Sequence, residues 1–341
     1  MRDMKLRDKL FIVNALLMAR VFKKKTPLIV SWAITTRCNK SCAYCDIRNT
    51  KIKEMETEHV FSLIKELSRL GTKIIHFTGG EPLLREDIGR IIDYCSEKGI
   101  LTSINSNGSL MEQRIKELKN LNLAGLSLDG PEDVHDSVRG NGSYKEVIAA
   151  LALAKSRGIS LRIHTVLSKL NLQSIDFLLK KAEEMGAPIL FQPSTALLLG
   201  GNQQNPLSPD EKEYKRAIGY LITKKRETAY IAHSISGLKF LYNWPQLKKI
   251  RCQASLISAR IESDGRVDIC FRNQFKSKPI GANEVTFQGG FYSFPYFYCD
   301  QCCCPSSVEL NCLLNLKLDT VFNTWNLSCL LFNTKKNRRC D

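Results

Sequence analysis

Three cysteines stand within eight residues near the start of the chain, at Cys38, Cys42 and Cys45. Thiolates are ligands that zinc and iron–sulfur clusters prefer. Three thiols can bind three irons of a four-iron cluster and leave the fourth iron open to an exogenous ligand, whereas structural zinc sites are closed by four protein ligands. The triplet predicts a metal site, and zinc with a distant fourth ligand stays open as an alternative.

A second polar segment, Gly79-Gly80-Glu81-Pro82, stands further along the chain. Paired glycines let a backbone approach a ligand closely, and a glutamate carboxylate can bind an ammonium group. A Gly-Gly turn after a strand is ordinary, so the segment alone is weak evidence. Its weight comes from its position after the next predicted strand, which places it in the same layer of loops as the cysteine triplet.

The elements that must hold these residues alternate regularly between strands and helices. Strand-like runs occupy 28–35, 73–78, 100–105, 123–128, 161–167 and 189–191. Apolar residues at helical spacing occupy 60–67, 88–95, 111–119, 144–151 and 175–185. Such alternation is typical of a parallel α/β sheet with right-handed crossovers. We predict an open, partial (β/α)6 TIM-like barrel, with His76 as a buried core histidine and Cys95 on the core face of a helix.

The composition narrows the class of protein. The 341 residues include 50 Lys and Arg against 34 Asp and Glu, for a net charge of +16, which favours anionic partners. A content of 43% hydrophobic and 25% charged residues excludes collagen-like, low-complexity and wholly disordered chains. The 13 cysteines are unevenly spaced and odd in number, which favours metal ligation over disulfides and predicts a cytoplasmic location.

Together the two segments resemble the radical S-adenosylmethionine (radical SAM) superfamily. The Cys-x3-Cys-x2-Cys triplet, with Tyr44 at the usual aromatic position, resembles its cluster-binding motif, and residues 79–82 resemble its segment that contacts the methionine amino group. The resemblance implies a 4Fe-4S cluster on Cys38, Cys42 and Cys45 that binds S-adenosyl-L-methionine. It also implies reductive cleavage of that cofactor to a 5′-deoxyadenosyl radical, which abstracts a hydrogen atom from the substrate.

Two further strand ends extend the resemblance. Ser106-Asn107-Gly108 and Ser127-Leu128-Asp129-Gly130 match segments that line the ribose and substrate side of the cleft in relatives, and His135, Asp136, Arg139 and Gly140 extend the second match. The resemblance thus implies cofactor contacts from Tyr44, Gly79, Gly80, Glu81, Pro82, Ser106, Asn107, Ser127, Asp129 and Arg139. It also implies an electron donor such as flavodoxin or ferredoxin.

A second group of cysteines lies in the last third of the chain. Cys252 and Cys270 flank a hairpin signal at Asp264-Gly265, which resembles the opening of the auxiliary-cluster domains called SPASM and twitch. SPASM expects a cysteine six positions after Cys302, where Val308 stands, so a shorter twitch-like domain with one auxiliary iron–sulfur cluster is predicted. Its ligands would be Cys252, Cys270, Cys299 and either Cys302 or Cys304, with structural zinc as the alternative.

The predicted organisation has four segments: a basic N-terminal segment at 1–27, the radical SAM core at 28–230, the auxiliary domain at 231–330 and a basic tail at 331–341. Basic residues surround the apolar stretch 10–18 of the first segment. This pattern predicts either an amphipathic helix at a membrane surface or a cap over the main domain. A further helix is predicted to begin at Ser208-Pro209-Asp210-Glu211.

The resemblance favours modification of a ribosomally made peptide or protein, because many twitch and SPASM relatives do that. A small or lipid-like metabolite is the alternative substrate, since residues 1–27 are too short for a peptide-binding winged helix and are basic and apolar. A zinc-stabilised nucleic-acid-binding protein is a hypothesis of a different class. The dispersed charge and the absence of a fourth ligand near the triplet disfavour nucleic acid.

Overall fold

The computed structural model describes residues 6–50, 52–199, 201, 203–246, 250–270, 286–294, 298–299, 302 and 304–323. The strands in these ranges are β1 Ile29–Thr35, β2 Ile74–Gly79, β3 Leu101–Ser106, β4 Leu123–Ser127, β5 Ser160–Leu167, β6 Ile189–Pro193, β7 Ile250–Arg251, β8 Ser258–Ile261, β9 Val267–Asp268 and β10 Tyr298–Cys299. The helices are α1 Leu6–Phe22, α2 Thr57–Leu70, α3 Ile88–Glu97, α4 Met111–Arg114, α5 Glu132–Arg139, α6 Ser143–Ser156, α7 Ile175–Met185, α8 Glu211–Lys224, α9 Ile235–Leu241, α10 Phe287–Ser293 and α11 Pro305–Leu314.

One mostly parallel sheet organises the described residues, in the order β6-β5-β4-β3-β2-β1-β8-β9. Strands β1 to β6 follow one another in parallel register, so the predicted α/β fold with six strand–helix alternations is confirmed. Strand β8 pairs in parallel with β1, and β9 turns back antiparallel to β8, as the Asp264-Gly265 signal predicts. The hairpin of β8 and β9 therefore extends the main sheet. The predicted boundary between the core and the auxiliary domain at residue 230 stays a prediction.

Alternation along the strands separates an apolar face from a polar one. Val30, Trp32, Ile75 and Phe77 point outward and are fully buried in the main core. Helices α3, α6 and α7 cover this outer side of β3 to β6. We call the opposite side the inner face; it carries Ser31, His76, Ser103, Asn105, Ser127, Arg162, His164 and Gln192. His76 therefore lies on the inner face and not in the core, because Ile75 and Phe77 on either side of it take the outward positions.

Two helices, α8 and α5, differ from the sequence-based expectation. Helix α8 begins two residues later than the Ser208 signal suggested, because the Asp210 carboxylate accepts hydrogen bonds from the backbone N–H of Lys212 and Glu213 at 2.9 and 3.2 Å. Helix α5 escaped prediction because its sequence is mostly polar. The core position predicted for Cys95 is confirmed by its complete burial.

Helix α1 packs against the protein along one side. Ala15 and Ala19 are buried against Leu28, Leu256 and Leu314, so one side of the helix packs on the protein as a cap. The other side carries large apolar side chains that are exposed. No helix in the described ranges has both the length and the apolarity that a membrane span requires. The basic tail predicted at 331–341 lies outside the described residues.

Candidate active site at the carboxyl ends of the strands

The cysteine triplet lies on the loop that leaves β1. Cys38, Cys42 and Cys45 are all half-buried. Backbone hydrogen bonds fix this loop on both sides: the Ala43 N–H donates to the Val138 carbonyl at 2.9 Å, and the Leu199 N–H donates to the Tyr44 carbonyl at 3.0 Å. The three thiols therefore stand on a loop whose path is set by α5 and by the segment after β6.

Burial keeps two of these thiols protonated in the absence of metal. It raises the pKa of Cys38 and raises that of Cys45 to about 11, against backbone hydrogen bonds that favour the thiolates. Metal binding must therefore displace protons from the loop. Within the described ranges, no three His, Cys, Asp or Glu side chains converge as a single metal ion would require. A cluster asks for a different geometry, because each thiolate binds a separate iron; three half-buried thiols on one loop fit that donor set.

Residues 79–80 pack against the start of the cysteine loop. A Cβ on Gly79 would lie 2.0 Å from the Thr35 carbonyl oxygen, and a Cβ on Gly80 would lie 2.0 Å from the Arg37 carbonyl oxygen. The Gly80 N–H donates to the Thr35 carbonyl at 2.8 Å. The close backbone approach expected of these glycines is thus an approach to the exit of β1, which only residues without a side chain allow.

Glu81 joins the exits of β2 and β3. Its carboxylate is buried and accepts hydrogen bonds from the Leu83 N–H at 3.1 Å, the Ser106 hydroxyl at 2.9 Å and the Asn107 N–H at 2.8 Å. Burial raises the pKa of Glu81, and these donors oppose the rise. The hydrogen bonds of the Glu81 side chain tie the exits of β2 and β3 together, Pro82 is buried beside it, and the ammonium contact expected of Glu81 stays a prediction.

A polar network that the sequence did not reveal connects β3 to the triplet. The Asn107 amide donates to the Asn39 side-chain oxygen at 2.9 Å, and the Asn39 amide donates to the Ser109 hydroxyl at 2.8 Å. Asn39 lies directly after Cys38, so this network orients the first thiol relative to the end of β3. No sequence pattern signals it, because isolated asparagines and serines are common in loops.

Tyr44, Asp129 and Arg139 form a buried cluster beneath the loop. The Asp129 carboxylate accepts hydrogen bonds from the Arg139 Nε at 2.7 Å, the Tyr44 hydroxyl at 3.1 Å and the Val166 N–H at 2.9 Å. Arg139 also donates to the Tyr44 hydroxyl, and its Nη1 lies 3.9 Å from the Cys42 Sγ. Burial disfavours the charged guanidinium, but Asp129, Tyr44 and Cys42 raise the pKa of Arg139 above its ordinary value.

This cluster brings together residues that are far apart in the chain. Tyr44 comes from the cysteine loop, Asp129 from the end of β4 and Arg139 from the last turn of α5. His135 supports the arrangement by accepting the Asp129 N–H at its Nδ1, at 3.1 Å. Ser127 is the last residue of β4, two residues before Asp129, and is half-buried on the inner face. A positive charge thus stands beside one thiol, where the negative charge of a thiolate-bound cluster would develop.

The C-terminal cysteines are held differently. Cys252 and Cys302 are buried, and Cys270 and Cys304 are half-buried. Cys302 packs against Leu241 and Val308, Cys270 packs on the main core, and Cys304 precedes the first turn of α11. The backbone of Cys299 pairs with Ile250, two residues before Cys252, while the Cys299 side chain and all of Cys303 lie outside the described residues.

Comparisons with known proteins agree with this geometry. Residues 32–182 match the family model of the radical SAM superfamily. The chain is 33% identical over 173 residues to the Fe-coproporphyrin III synthase of Methanosarcina barkeri, a match that covers 49% of this chain and 43% of that protein. It is 26% identical over 209 residues to the mycofactocin maturase MftC of Mycolicibacterium smegmatis, with 58% and 52% covered. The chain thus spans about half the length of the curated relatives it matches.

Solved structures share the fold. SuiB of Streptococcus suis bound to S-adenosylmethionine superposes with a TM-score of 0.67 at 18% identity, covering 84% of this chain and 70% of that one. At this identity the likeness concerns the fold alone, and it agrees with the partial barrel described above. Residues 32–182 of this chain are therefore similar to the domain of the radical SAM superfamily, the family that implies a 4Fe-4S cluster and S-adenosylmethionine.

Proposed function

We propose that the chain is a radical SAM enzyme in which Cys38, Cys42 and Cys45 hold a 4Fe-4S cluster. Held by these thiolates, the cluster would supply the electron for reductive cleavage of S-adenosylmethionine to methionine and a 5′-deoxyadenosyl radical, which would take a hydrogen atom from the substrate. The observation that carries the proposal is the position of three half-buried thiols on one loop beside the buried Arg139 guanidinium.

The chain's own side chains orient and shield this site. Arg139, held by Asp129 and Tyr44, contributes a fixed positive charge next to Cys42. Glu81 locks the exits of β2 and β3 together. We assign the cofactor contacts to the backbone of residues 79–82 and to the half-buried side chains of Asn107 and Ser127, because Glu81, Ser106 and Asp129 are buried and act by positioning.

We propose a ribosomally made peptide or protein as the substrate of this site. The similarity to MftC, a maturase by name, supports this choice. SuiB, which shares the fold, has also been solved with its precursor peptide SuiA. The similarity to the Fe-coproporphyrin III synthase supports the alternative, a small or lipid-like metabolite. A flavodoxin or ferredoxin is the proposed electron donor.

The C-terminal cysteines are proposed to hold an auxiliary iron–sulfur cluster. The pairing of β10 with β7 supports this proposal, since it brings the backbone of Cys299 close to the segment of Cys252. Cys302 and Cys304 stand at the start of α11, so either of them can complete the set with Cys270. Metal analysis separates the alternatives: iron and sulfide beyond one cluster support the proposal, and zinc in their place contradicts it.

We propose that helix α1 contacts an anionic membrane surface from the cytoplasmic side. Its exposed apolar stripe consists of Leu6, Leu10, Val13, Leu17 and Val21, each between 56% and 72% exposed. Their spacing places them on one face of the helix, opposite Ala15 and Ala19. A cavity of about 450 Å³ adjoins the helix and is lined by the basic side chains of Arg7, Lys24, Lys25, Arg69 and Lys73. An apolar stripe beside basic side chains suits an interface rich in anionic lipid.

Vesicle flotation tests the membrane contact. The protein is expected to float with phosphatidylserine-containing vesicles and less with phosphatidylcholine alone, and Val13→Asp with Leu17→Asp should abolish flotation. Leu170→Asp, at another exposed apolar residue, serves as the matched control. Equal flotation of the wild type and the stripe variant, or no flotation of the wild type, contradicts the contact.

Anaerobic reconstitution tests the main proposal. With iron, sulfide, reductant and S-adenosylmethionine, the protein is expected to turn brown and to release 5′-deoxyadenosine, and replacement of all three loop cysteines by serine should stop that release. Cys95→Ala is the control, because Cys95 lies in the core away from the loop. Stoichiometric zinc without iron, together with salt-sensitive nucleic-acid binding, would instead favour the nucleic-acid-binding alternative.

A further inference from the structure

The inner face of the sheet carries a row of polar side chains just below the cysteine loop. Asn105, Gly125 and Arg162 lie side by side in register on β3, β4 and β5, and Ser127 and His164 lie side by side two positions further along β4 and β5. The apolar neighbours of Arg162, Leu161 and Ile163, point outward into the core. The alternation thus directs the guanidinium toward the hollow of the barrel.

Arg162 has no partner among the residues that the structure describes. Its Nε is buried without a hydrogen bond, and no carboxylate pairs with its guanidinium. Burial lowers the pKa of Arg162 to about 10, so the side chain remains charged at neutral pH. The residue still keeps part of its surface accessible. A buried, unpaired charge is costly, and such groups concentrate at binding sites.

The groups around Arg162 are neutral and polar. Burial, and after it the nearby Arg162 charge, lowers the pKa of His76 to about 4 and that of His164 to about 3. Gly125 lets the Asn105 and His164 side chains come together above the sheet: a Cβ there would lie 2.6 Å from the Asn105 Oδ1 and 2.7 Å from the His164 Nε2. Imidazole and amide groups can donate hydrogen bonds to an anion without adding a second charge.

We propose that Arg162 binds a carboxylate group of the substrate inside the barrel, with His164 and Asn105 beside it; this inference rests on the proposed function. A guanidinium matches a carboxylate in charge and in its two-pronged geometry. A phosphate dianion would bring one negative charge more than this row can match. His164 lies two residues further along β5 than Arg162, nearer to the carboxyl ends of the strands where the cysteine loop leaves the sheet.

Binding of a simple carboxylate to the reconstituted, S-adenosylmethionine-saturated protein tests this site. Radiolabelled benzoate in anaerobic equilibrium dialysis is the probe, and neutral benzamide is its matched counterpart. The wild type is expected to bind benzoate and not benzamide, and Arg162→Met should weaken benzoate binding by about tenfold or more. Arg157→Met, which removes the same charge from an exposed position, should bind as the wild type does.

Thermal unfolding provides the second measurement. Removal of an unpaired buried charge should leave Tm unchanged or raise it by about 2 °C in Arg162→Met, whereas loss of a hydrogen-bonded structural arginine would lower it. If Arg162→Met does not fold, Arg162→Lys keeps the dialysis decisive, since it keeps the charge but loses the fork and should bind benzoate more weakly than the wild type.

Several outcomes would overturn the inference: no benzoate binding to the wild type, equal binding to Arg162→Met, equal displacement of benzoate by inorganic phosphate, or a large fall in Tm on Arg162→Met. Failure of the proposed function has a separate signature, which is the absence of iron and of 5′-deoxyadenosine from the wild type. In that case benzoate binding is measured on the protein without cluster or cofactor, and the comparison of wild type with Arg162→Met still tests the site, because Arg162 belongs to the chain itself.

Discussion

The cysteines of the loop 38–45 and the cysteines of the C-terminal region are supported very differently. The loop of residues 38–45 leaves a strand in the middle of a parallel sheet, and the exits of β2, β3 and β4 all contribute groups that fix it. The C-terminal cysteines stand on separate segments joined by β7 and β10, which are two residues long each. A sheet edge collects strand ends without loss of order, because each strand is anchored along its length.

The difference between the two regions lies in how their side chains hold the cysteines in place. Around the triplet, buried side chains such as Glu81 and Asp129 are saturated with hydrogen bonds and hold the loop in place before any ligand arrives. Around the C-terminal cysteines, Cys302 packs against Leu241 and Val308, and the segments that carry the other thiols are joined by strands of only two residues each. We therefore expect the first site to be organised in advance and the second to depend on its metal.

The largest expected effect is a difference between the two cysteine groups in the release of 5′-deoxyadenosine. Cys42→Ser should abolish release of 5′-deoxyadenosine, because it removes a ligand of the proposed catalytic cluster. Cys302→Ser should retain release in the absence of substrate while it lowers the iron content. The measurement is chromatography of the nucleoside products beside iron analysis. Equal loss of release in both variants would mean that the two cysteine groups do not act separately.

The next effect concerns the buried pair beneath the loop. Asp129→Ala leaves the Arg139 guanidinium buried without its carboxylate, so we expect a loss of about 3–5 kcal/mol in the free energy of unfolding. Asp264→Ala breaks a partly exposed pair with Arg266 and should cost about 1 kcal/mol or less. Denaturant unfolding measures both, and similar losses would contradict the special position of Asp129.

A smaller effect is expected from added bulk at the exit of β1. Gly80→Ala brings a Cβ within 2.0 Å of the Arg37 carbonyl oxygen, so the loop must shift, at a cost of about 1–3 kcal/mol and with a loss of bound iron. Gly219→Ala, in α8, is the matched control because its new Cβ would meet nothing nearer than the Tyr242 ring at 3.9 Å. Iron content equal in the two variants would argue against close packing of residues 79–80 on the loop.

The last expected effect is a pH dependence of the free energy of unfolding, which comes from His135. Burial lowers the pKa of His135 from 6.5 to about 4. Between these values the unfolded chain binds more protons than the folded one, so stability rises with pH over this window and is lost on acidification. The slope from one such histidine is at most about 1.4 kcal/mol per pH unit.

His135→Gln should therefore flatten the dependence of unfolding free energy on pH between 4 and 6.5, and denaturant titrations at several pH values measure the slope. The exposed His59→Gln is the control and should keep the slope of the wild type. An unchanged slope in His135→Gln would place the acid sensitivity elsewhere in the barrel.

Much of the barrel could be predicted because its signals are local. Alternating apolar residues defined the strands, glycines ended α2 and α7, and the strand ends indicated which loops share one layer. The strand–helix order predicted that Cys38–Cys45 and residues 79–82 share one layer of loops, and the family resemblance added Asp129 to that group. Helix α5 escaped prediction because its eight residues are mostly polar, and the Asn39–Asn107 contact because isolated asparagines are common in loops.

Sequence alone determined the donor atoms, their spacing and the parallel order of the strands, because these depend on residues close together in the chain. Tertiary structure decided that the Glu81 carboxylate holds strand exits together, that β8 joins β1, and that the buried Arg162 Nε has no hydrogen-bond partner in the part of the chain that the structure describes. Each of these depends on which distant side chains share a burial environment, and that is set only when the sheet closes and water leaves.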